Sequence, residues 1–541
     1  MNAGDLTKLA AKYQADEEVA YLTDALKERL MDLETGMSSQ RPSKAMLDAM
    51  FPMVSSRTVP SQLKASDIRL SKGQSAAVAA GIQSPTFLLV RALAGTGKTE
   101  VLAKIAQGRV GRGLYIAYNR DVADNAAGRL PVTVSAKSCH ALAHAAMGAA
   151  IKESGKTIAN PTLRQIVDHL GLKGRSAFET AYTVRQAVEA FAVDLDLEVS
   201  ARHFPAAALT KATVPRDRLV DYANIVWDAM LAPGLAMNVS HDAYLKRWLQ
   251  KGAEVTADYI LFDEAQDATP VTLSLAMCQG CDIIMAGDPH QAIYQYKGTV
   301  DPFSMDASMG NTVTINETFR FGPEIARAVN AVLKLKNETP GVVPALDTQG
   351  QVYGSDVAFD TFARGRKVAY IARSNADLLD MAIAQAGRYR LHIAGGVDQI
   401  ATSTQSAHAL FMGQRNRITV PMMRDFANWE AYASWVSETN DQEGRQVVSI
   451  VDRYRDRLPN IVADLARATY PVADANLVLT TAHRCKGLEF DHVWLSDDFR
   501  PAKPINDDPS PENLAEIHIL YVAASRPRMS LRVNRAISRL L

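Results

Sequence analysis

The sequence ALAGTGKT, at Ala92–Thr99, decides the fold. It follows an apolar strand predicted over Thr86–Val90 and opens a helix predicted over Thr99–Ala106, which is the setting that a P-loop requires. Small residues let backbone N–H groups curl around phosphates, and the helix N-terminus adds favourable partial charge. We expect Lys98 to reach the β- and γ-phosphates and Thr99 to bind Mg²⁺ through its hydroxyl. A chance glycine-rich turn is the competing interpretation, and the flanking strand and helix argue against it.

Two more loops follow predicted strands. Asp263 and Glu264 come directly after the apolar residues Tyr259–Leu261. Two acids at a strand end are unfavourable unless a cation is bound there, so Asp263 suits Mg²⁺ coordination and Glu264 suits a general base that orients the attacking water. An exposed acidic turn is the alternative, which the upstream P-loop disfavours. Gln291, in a loop after the next strand, could touch the γ-phosphate and respond to its loss, and an ordinary loop without that role is the alternative.

Short apolar strands alternate with helical stretches from Ile68 onward, a pattern typical of parallel α/β layers. The strands form two clusters, and we therefore predict two doubly wound domains. Two mainly helical insertions, at about 141–250 and 391–470, separate parts of these domains. The first cluster comprises Thr86–Val90, Gly113–Ala117, Tyr259–Phe262 and Ile283–Ala286, and the second comprises Val313–Ile315, Lys367–Ile371, Leu477–Thr480 and His492–Leu495.

Bulk composition excludes several classes of protein. The chain of 541 residues has 59 basic and 59 acidic side chains, a balance that neither indicates nor excludes nucleic-acid binding. Its four cysteines are too scattered for a disulfide framework, and Cys278 and Cys281 have no second Cys/His pair nearby to complete a zinc site. No signal sequence and no apolar run near the ~20 residues of a membrane span is evident. We expect a cytoplasmic protein, associated with the nucleoid if it is bacterial or from a phage.

In their order along the chain, these segments resemble the motif series of the UvrD/Rep group of superfamily 1 DNA helicases, and they are most similar to its F-box DNA helicase branch. The segments are Leu70–Gln74 (Q motif), Ala92–Thr99 (motif I), Ile116–Asn119 (Ia), Ser138–Ala143 (Ib), Asp263–Asp267 (II), Gly287–Gly298 (III), Glu317–Gly322 (IV), Ile371–Asn375 (IVa), Thr481–Phe490 (V) and Leu520–Arg526 (VI). The stretches that narrow the resemblance to the F-box branch are Gly287–Gln291, Phe319–Gly322, His392–Gly396 and Leu495–Phe499.

The resemblance implies two RecA-like P-loop NTPase domains. On that basis we expect domain 1A at 66–140 and 251–313, insertion 1B at 141–250, domain 2A at 314–390 and 471–541, and a short insertion 2B at 391–470. Residues 1–65 form a helical lead-in without a recognisable F-box, and they are a possible docking segment for a protein partner. The oligomeric state is open, and a monomer is favoured.

The resemblance also implies one pocket for ATP and Mg²⁺, with residues contributed by both domains. Gln74 is expected to read adenine, Phe319 to stack on it, and Glu489 to contact the ribose. Arg320 and Arg526 are expected to reach the phosphates from the second domain. The remaining expected nucleotide contacts are Ala94, Gly95, Thr96, Gly97, Lys98, Thr99 and Gly487.

Single-stranded DNA is expected to cross both domains. Aromatic side chains stack on bases without regard to sequence, and the resemblance points to Tyr296 and Tyr118. The alternative is a half-buried tyrosine with a packing role only. For Tyr118, DNA stacking and packing are evenly balanced hypotheses. The other expected DNA contacts are Asn119, His140, Lys297, Arg373 and His483.

The resemblance implies an ATP-dependent helicase that moves 3′-to-5′ on single strands and opens tailed or forked duplexes in repair, recombination or replication. A translocase that strips proteins from single strands and a DNA-bound ATPase switch or scaffold are the alternatives. Three positions depart from the family pattern: Lys297 and His518 stand where arginine is usual, and Ser525 stands where threonine is usual. Each keeps a hydrogen-bond donor, although lysine lacks the planar fork of arginine.

Overall fold

The computed structural model describes residues 70–83, 86–174, 176–211, 214–304, 311–345, 350–439 and 442–541. The helices predicted within residues 1–65 lie outside these described ranges. Among the described residues, no helix combines the length and the apolar character needed to cross a membrane.

Two six-stranded sheets, each wholly parallel, organise the chain. The first contains β1 (Phe87–Ala92), β2 (Gly113–Ala117), β3 (Val134–Ser138), β4 (Tyr259–Phe262), β5 (Asp282–Gly287) and β6 (Asn311–Ile315), in the order β3-β2-β4-β5-β1-β6. A short ribbon of β7 (Glu317–Thr318) and β8 (Val343–Pro344) follows. The second sheet contains β9 (Gln351–Tyr353), β10 (Val368–Ala372), β11 (Leu391–Ile393), β12 (Leu477–Thr481), β13 (Phe490–Leu495) and β14 (Pro527–Arg532), in the order β11-β12-β10-β13-β14-β9.

The central strands are buried along their whole length and do not alternate between buried and exposed residues. Every residue of β2, β10 and β12 is buried, as expected for strands covered by helices on both faces. The helices that cover the first sheet are Lys72–Ile82, Lys98–Gly108, Arg120–Ala127 and Pro270–Met277. Those that accompany the second are Pro323–Leu333, Phe359–Ala363, Asn375–Gln385, Pro511–Ala524 and Arg535–Ser538. The predicted fold class is therefore confirmed.

Both insertions are helical, as predicted. The first contains Cys139–Glu153, Leu163–Leu170, Ala177–Val193, Ala206–Lys211, Arg216–Leu231 and His241–Gln250. The second contains Val397–Phe411, Trp429–Thr439, Gln442–Tyr454 and Leu458–Ala468. The residues Leu391–Ile393, which we expected at the start of the second insertion, instead form β11 and pair with β12.

One strand belongs to a different sheet from the one predicted. We expected Val313–Ile315 to open the second cluster, but β6 pairs in parallel with β1, with Val90 opposite Val313. The first sheet therefore extends beyond the boundary expected at residue 313. The prediction was wrong because an apolar alternation identifies a strand but not its partner. The strands β3 and β14 escaped prediction because they are rich in serine, lysine and arginine.

The three loops with expected nucleotide chemistry leave the carboxyl ends of adjacent strands. β4 leads to Asp263, β5 leads to Asp288, and β1 leads to the P-loop. Because neighbouring parallel strands end at the same sheet edge, residues far apart in sequence meet there. The fold thus builds one site from these loops.

Candidate nucleotide site and DNA-binding surface

The P-loop adopts a backbone that requires glycine at two positions. Gly95 and Gly97 both have φ of 75°, in the left-handed region. A Cβ atom on Gly95 would lie 2.7 Å from the Cβ atom of Arg320, and the backbone N–H of Phe319 donates to the Gly95 carbonyl at 2.9 Å. The loop is therefore in direct contact with the segment that resembles motif IV.

Gln74 stabilises the P-loop through its side-chain amide. Its Nε2 donates to the Thr96 carbonyl at 2.9 Å, and its Oε1 accepts from the Ser71 backbone N–H at 2.9 Å. The side chain is buried, and both ends of its amide are engaged within the protein. The structure thus gives Gln74 a role in holding the loop, and its contact with adenine stays a prediction.

Asp263 and Thr99 form an oxygen-rich pair beside the P-loop. Thr99 Oγ1 donates to Asp263 Oδ2 at 3.1 Å, and the Glu264 backbone N–H donates to Asp263 Oδ1 at 2.9 Å. Only 1% of Asp263 is exposed, and burial together with the Glu264 carboxylate raises its pKa. A hydroxyl and a carboxylate are hard oxygen ligands, so this donor set fits Mg²⁺, which Thr99 and Asp263 would hold and which would neutralise phosphate charge.

Glu264 is held in a left-handed backbone conformation, with φ of 53°. Such a conformation in a residue other than glycine is strained and is often found at functional sites. Its Oε1 lies 3.7 Å from Lys98 Nζ. Burial alone would raise the pKa of Glu264, but the Lys98 and Lys486 cations hold it below its usual range. The carboxylate is therefore ionised and can accept a hydrogen bond from a water molecule.

Gln291 and Arg526 meet across the cleft between the two sheets. Arg526 Nη2 donates to Gln291 Oε1 at 3.2 Å, while Gln291 Nε2 donates to Asp288 Oδ2 at 2.6 Å. Arg526 is 1% exposed, and burial lowers its pKa to about 10, which leaves it charged at neutral pH. Ser525 Oγ also accepts from Arg526 Nη2, at 2.9 Å, so the serine supplies a hydroxyl next to the guanidinium.

Arg320 binds the residue that was expected on the ribose. Its Nη2 and Nε donate to Glu489 Oε1 at 2.7 and 3.0 Å, and its Nη1 donates to the Ser525 carbonyl at 2.8 Å. Burial works against ionisation of Glu489, but the neighbouring arginines lower its pKa overall. The expected sugar contact of Glu489 and the expected adenine contact of Phe319 stay predictions. Gly487 has φ of 81° and open space where a Cβ would stand.

The structure adds residues that sequence reasoning missed. Tyr521, which belongs to the second domain, accepts from the Ala94 backbone N–H at 2.9 Å and donates to Asp288 Oδ2 at 2.9 Å. It therefore joins the P-loop to the loop after β5. Lys486 donates to the Gln291 carbonyl at 2.7 Å and forms an ion pair with Asp267. A polar residue within an apolar helix was the available signal for Tyr521. Lys486 was visible only as part of a motif.

A second contact between the domains lies next to Gln291. Glu338 Oε2 is 2.5 Å from Arg91 Nη2 and 3.0 Å from His290 Nε2. The pKa of Glu338 is held well below its usual range by the hydrogen bonds from these two side chains. Because Arg91 belongs to β1 and Glu338 follows the helix Pro323–Leu333, this ion pair ties the two sheets together.

The expected DNA-binding tyrosines form a cluster, which we call the tyrosine cluster, of Tyr118, Tyr294, Tyr296, Lys297 and His483. Tyr118 stacks on Tyr294, with ring centres 5.4 Å apart and an interplanar angle of 6°. Tyr296 is 74% exposed, and its ring centre lies 6.4 Å from those of Tyr294 and His483. Lys297 Nζ lies 5.0 Å from the Tyr294 ring centre. An exposed aromatic ring beside a cation is suited to bases and phosphates.

The remaining expected DNA contacts have partners within the protein. Arg373 forms a two-pronged ion pair with Glu516, at 2.8 Å from Nη2 to Oε1, and His140 Nε2 lies 2.8 Å from Asp242 Oδ1. Asn119 Oδ1 caps the helix Arg120–Ala127. These three side chains stay predicted DNA contacts, but they would have to share or exchange their present partners.

His483 stays a predicted DNA contact, and its surroundings favour contact with a base. Burial, together with the Arg373 cation, lowers the pKa of His483 to about 4, so the ring is uncharged at neutral pH. It can stack or form a hydrogen bond, but it offers no charge to a phosphate.

Comparisons with known proteins find similar sequences among DNA helicases. A family model described as an AAA domain matches residues 74–297. F-box DNA helicase 1 of Gallus gallus is 28% identical over 522 residues, covering 88% of this chain and 50% of that protein. F-box DNA helicase protein 1 of Schizosaccharomyces pombe is 28% identical over 500 residues, covering 84% of this chain and 56% of that protein. This chain therefore spans about half the length of these two relatives.

A bacterial helicase is also similar. The ATP-dependent DNA helicase UvrD2 of Mycobacterium tuberculosis is 25% identical over 342 residues, covering 51% of this chain and 47% of that protein. Together these matches confirm the resemblance to UvrD-like superfamily 1 helicases that the motif series indicated.

We predict that Glu338→Gln weakens the contact between the domains. The change leaves Arg91 and His290 without their carboxylate, and we expect the free energy of unfolding to fall by about 1.5–3 kcal/mol, the scale of a hydrogen bond to a charged group. Equilibrium urea denaturation would measure it. The matched control is Glu324→Gln, whose exposed ion pair with Arg327 should contribute less than about 1 kcal/mol. Equal losses in both variants would contradict the prediction.

Proposed function

We propose that this chain, which resembles the UvrD-like superfamily 1 helicases along most of its length, is an ATP- and Mg²⁺-dependent DNA helicase or translocase. In this proposal it moves on single-stranded DNA, and it couples hydrolysis to the opening of tailed or forked duplexes. The 3′-to-5′ direction and a role in repair, recombination or replication follow from the family resemblance.

The contact between Arg526 and Gln291 across the cleft is the observation that carries the proposal. Lys98 begins the helix after the P-loop, and Glu264 and Gln291 follow strands of the first sheet. Arg320 and Arg526 come from the second domain. An arginine supplied across a cleft stabilises the charge on the transferring phosphoryl group and contributes ~10³–10⁵ in rate in related systems. A pocket divided in this way is sensitive to how closely the domains approach.

A short path connects the proposed phosphate sensor with the tyrosine cluster. Gln291 and Tyr296 belong to the same loop after β5, only a few residues apart. Lys486 donates to the Gln291 carbonyl at 2.7 Å, and its Nζ lies 5.1 Å from the Tyr294 ring centre. A movement of Gln291 on loss of the γ-phosphate would therefore also move the surface that is proposed to hold bases.

Two alternatives keep the same pocket. A translocase that strips proteins from single strands would hydrolyse ATP in response to DNA but open duplexes poorly. A DNA-bound switch or scaffold would bind ATP without needing sustained hydrolysis. The switch is disfavoured because Lys98, Glu264, Arg320 and Arg526 are all present and close to one another.

The proposal predicts ATP hydrolysis stimulated by single-stranded DNA, together with separation of a duplex that carries a 3′ tail. Both activities should fall by roughly 10²-fold or more in Lys98→Ala, because the cation no longer stabilises the phosphates. Phosphate release and strand separation of 3′- and 5′-tailed duplexes would be measured side by side. DNA-stimulated hydrolysis without unwinding would favour the stripping translocase. Hydrolysis indifferent to DNA, with neither duplex opened, would refute the motor.

A second prediction concerns base stacking by Tyr296. A stacked aromatic contributes ~1–3 kcal/mol per base, so Tyr296→Ala should weaken binding of single-stranded DNA by about 5- to 150-fold. Fluorescence anisotropy with a labelled oligonucleotide would measure the affinity. Tyr470→Ala is the control, since Tyr470 is also exposed but lies at the end of the second insertion, outside the tyrosine cluster. Unchanged DNA affinity in Tyr296→Ala would remove the tyrosine cluster from the proposed DNA path.

A further inference from the structure

Tyr115 is a buried tyrosine whose hydroxyl points into the nucleotide site. It stands in the middle of β2, opposite Leu261 of β4, and it is fully buried. Its hydroxyl donates a hydrogen bond to Asp263 Oδ2. The residues of β4 lead directly to Asp263, so the two strands fix the tyrosine and the carboxylate relative to each other.

The Asp263 carboxylate receives three hydrogen bonds from different parts of the first domain. Oδ2 accepts from the hydroxyls of Tyr115 and Thr99, the latter at 3.1 Å, and Oδ1 accepts from the Glu264 backbone N–H at 2.9 Å. A threonine hydroxyl can donate its proton to a carboxylate while its oxygen lone pairs face a cation. Thr99 and Asp263 can therefore act on one metal ion while Tyr115 donates to the same carboxylate.

The Tyr115 hydroxyl is the donor in its contact with Asp263, because an ionised carboxylate can only accept. Its available role is to donate one hydrogen bond and so fix the direction of the carboxylate oxygen that it touches.

We propose that Tyr115 is a positioning residue for the Mg²⁺ site. It orients the Asp263 carboxylate and thereby strengthens the binding of Mg²⁺–nucleotide. The inference rests on the proposed function, because it takes Asp263 and Thr99 as the metal-binding pair. Hydrogen-bond partners of ligating carboxylates typically contribute 10–100-fold to metal affinity. Tyr115 meets the two conditions for such a partner, since it is rigidly placed within a sheet and it contacts the ligand atom directly.

The chain offers two matched controls for removal of a tyrosine hydroxyl. Tyr259, in β4 of the same sheet, is fully buried, and its hydroxyl has no hydrogen-bond partner among the described residues. Tyr370, in β10 of the second sheet, donates to Asp377 Oδ2 at 2.6 Å. Tyr259→Phe therefore controls for the substitution itself, and Tyr370→Phe controls for the loss of a hydroxyl–carboxylate bond away from the nucleotide.

The experiment measures binding of a fluorescent ADP analogue to the full chain, first in EDTA and then across a titration with MgCl₂. In Tyr115→Phe we expect affinity at saturating Mg²⁺ to fall by about 10- to 100-fold, with a matching shift of the Mg²⁺ midpoint and unchanged affinity in EDTA. Tyr259→Phe and Tyr370→Phe should match the wild type in both conditions. Circular dichroism melts of all four proteins would compare their folding.

Two results would overturn the inference. In one, Tyr115→Phe binds with wild-type affinity and an unshifted Mg²⁺ midpoint. In the other, it loses affinity equally in EDTA and in Mg²⁺, which would mean that Tyr115 shapes the pocket without regard to the metal. A wild-type chain that binds the analogue with no dependence on Mg²⁺ would instead refute the metal-dependent ATPase on which the inference rests.

Discussion

Pairing of buried charge is the constraint on which the nucleotide cleft depends. Ionised groups taken out of water are stable only next to an opposite charge or several hydrogen bonds. Glu264 has Lys98, Asp267 has Lys486, and Arg526 has backbone carbonyls and Gln291. Nucleotide phosphates would bring negative charge to the same place, so Lys98 would exchange one anion for another. In the proposed motor, nucleotide binding would therefore change the partners of Lys98.

The same pairs explain why events in the cleft would reach the DNA surface. Lys486 contacts both the Gln291 carbonyl and, through its charge, the Tyr294 ring. Tyr521 holds the preceding Asp288 and the P-loop at one hydroxyl. A shift in this loop therefore has to move a packed and hydrogen-bonded set of side chains together, because packed interiors change between discrete arrangements and do not deform smoothly.

Sequence reasoning could predict the P-loop and the acidic loop because the residues that determine their chemistry are consecutive in the chain and follow a strand directly. It could not assign β6 to the first sheet, since an apolar strand does not specify its neighbour. Tyr521 and Tyr115 were missed for a similar reason. A tyrosine in an apolar segment looks like packing until the fold places a carboxylate at its hydroxyl. The present partners of Arg373 and His140 were equally invisible, because Glu516 and Asp242 are more than a hundred residues away.

The departure at His518 can be understood in terms of charge. Where the family pattern has arginine, His518 Nδ1 lies 2.9 Å from the Ala292 carbonyl and Nε2 lies 2.7 Å from Lys336 Nζ. Burial and the Lys336 cation hold the pKa of His518 well below its usual range, so the ring is neutral and accepts from the lysine. An arginine here would place a second buried cation against Lys336. In this chain the positive charge is on Lys336, and the neutral imidazole of His518 connects Lys336 to the loop after β5. The link between the domains is therefore present with only one buried cation at this contact.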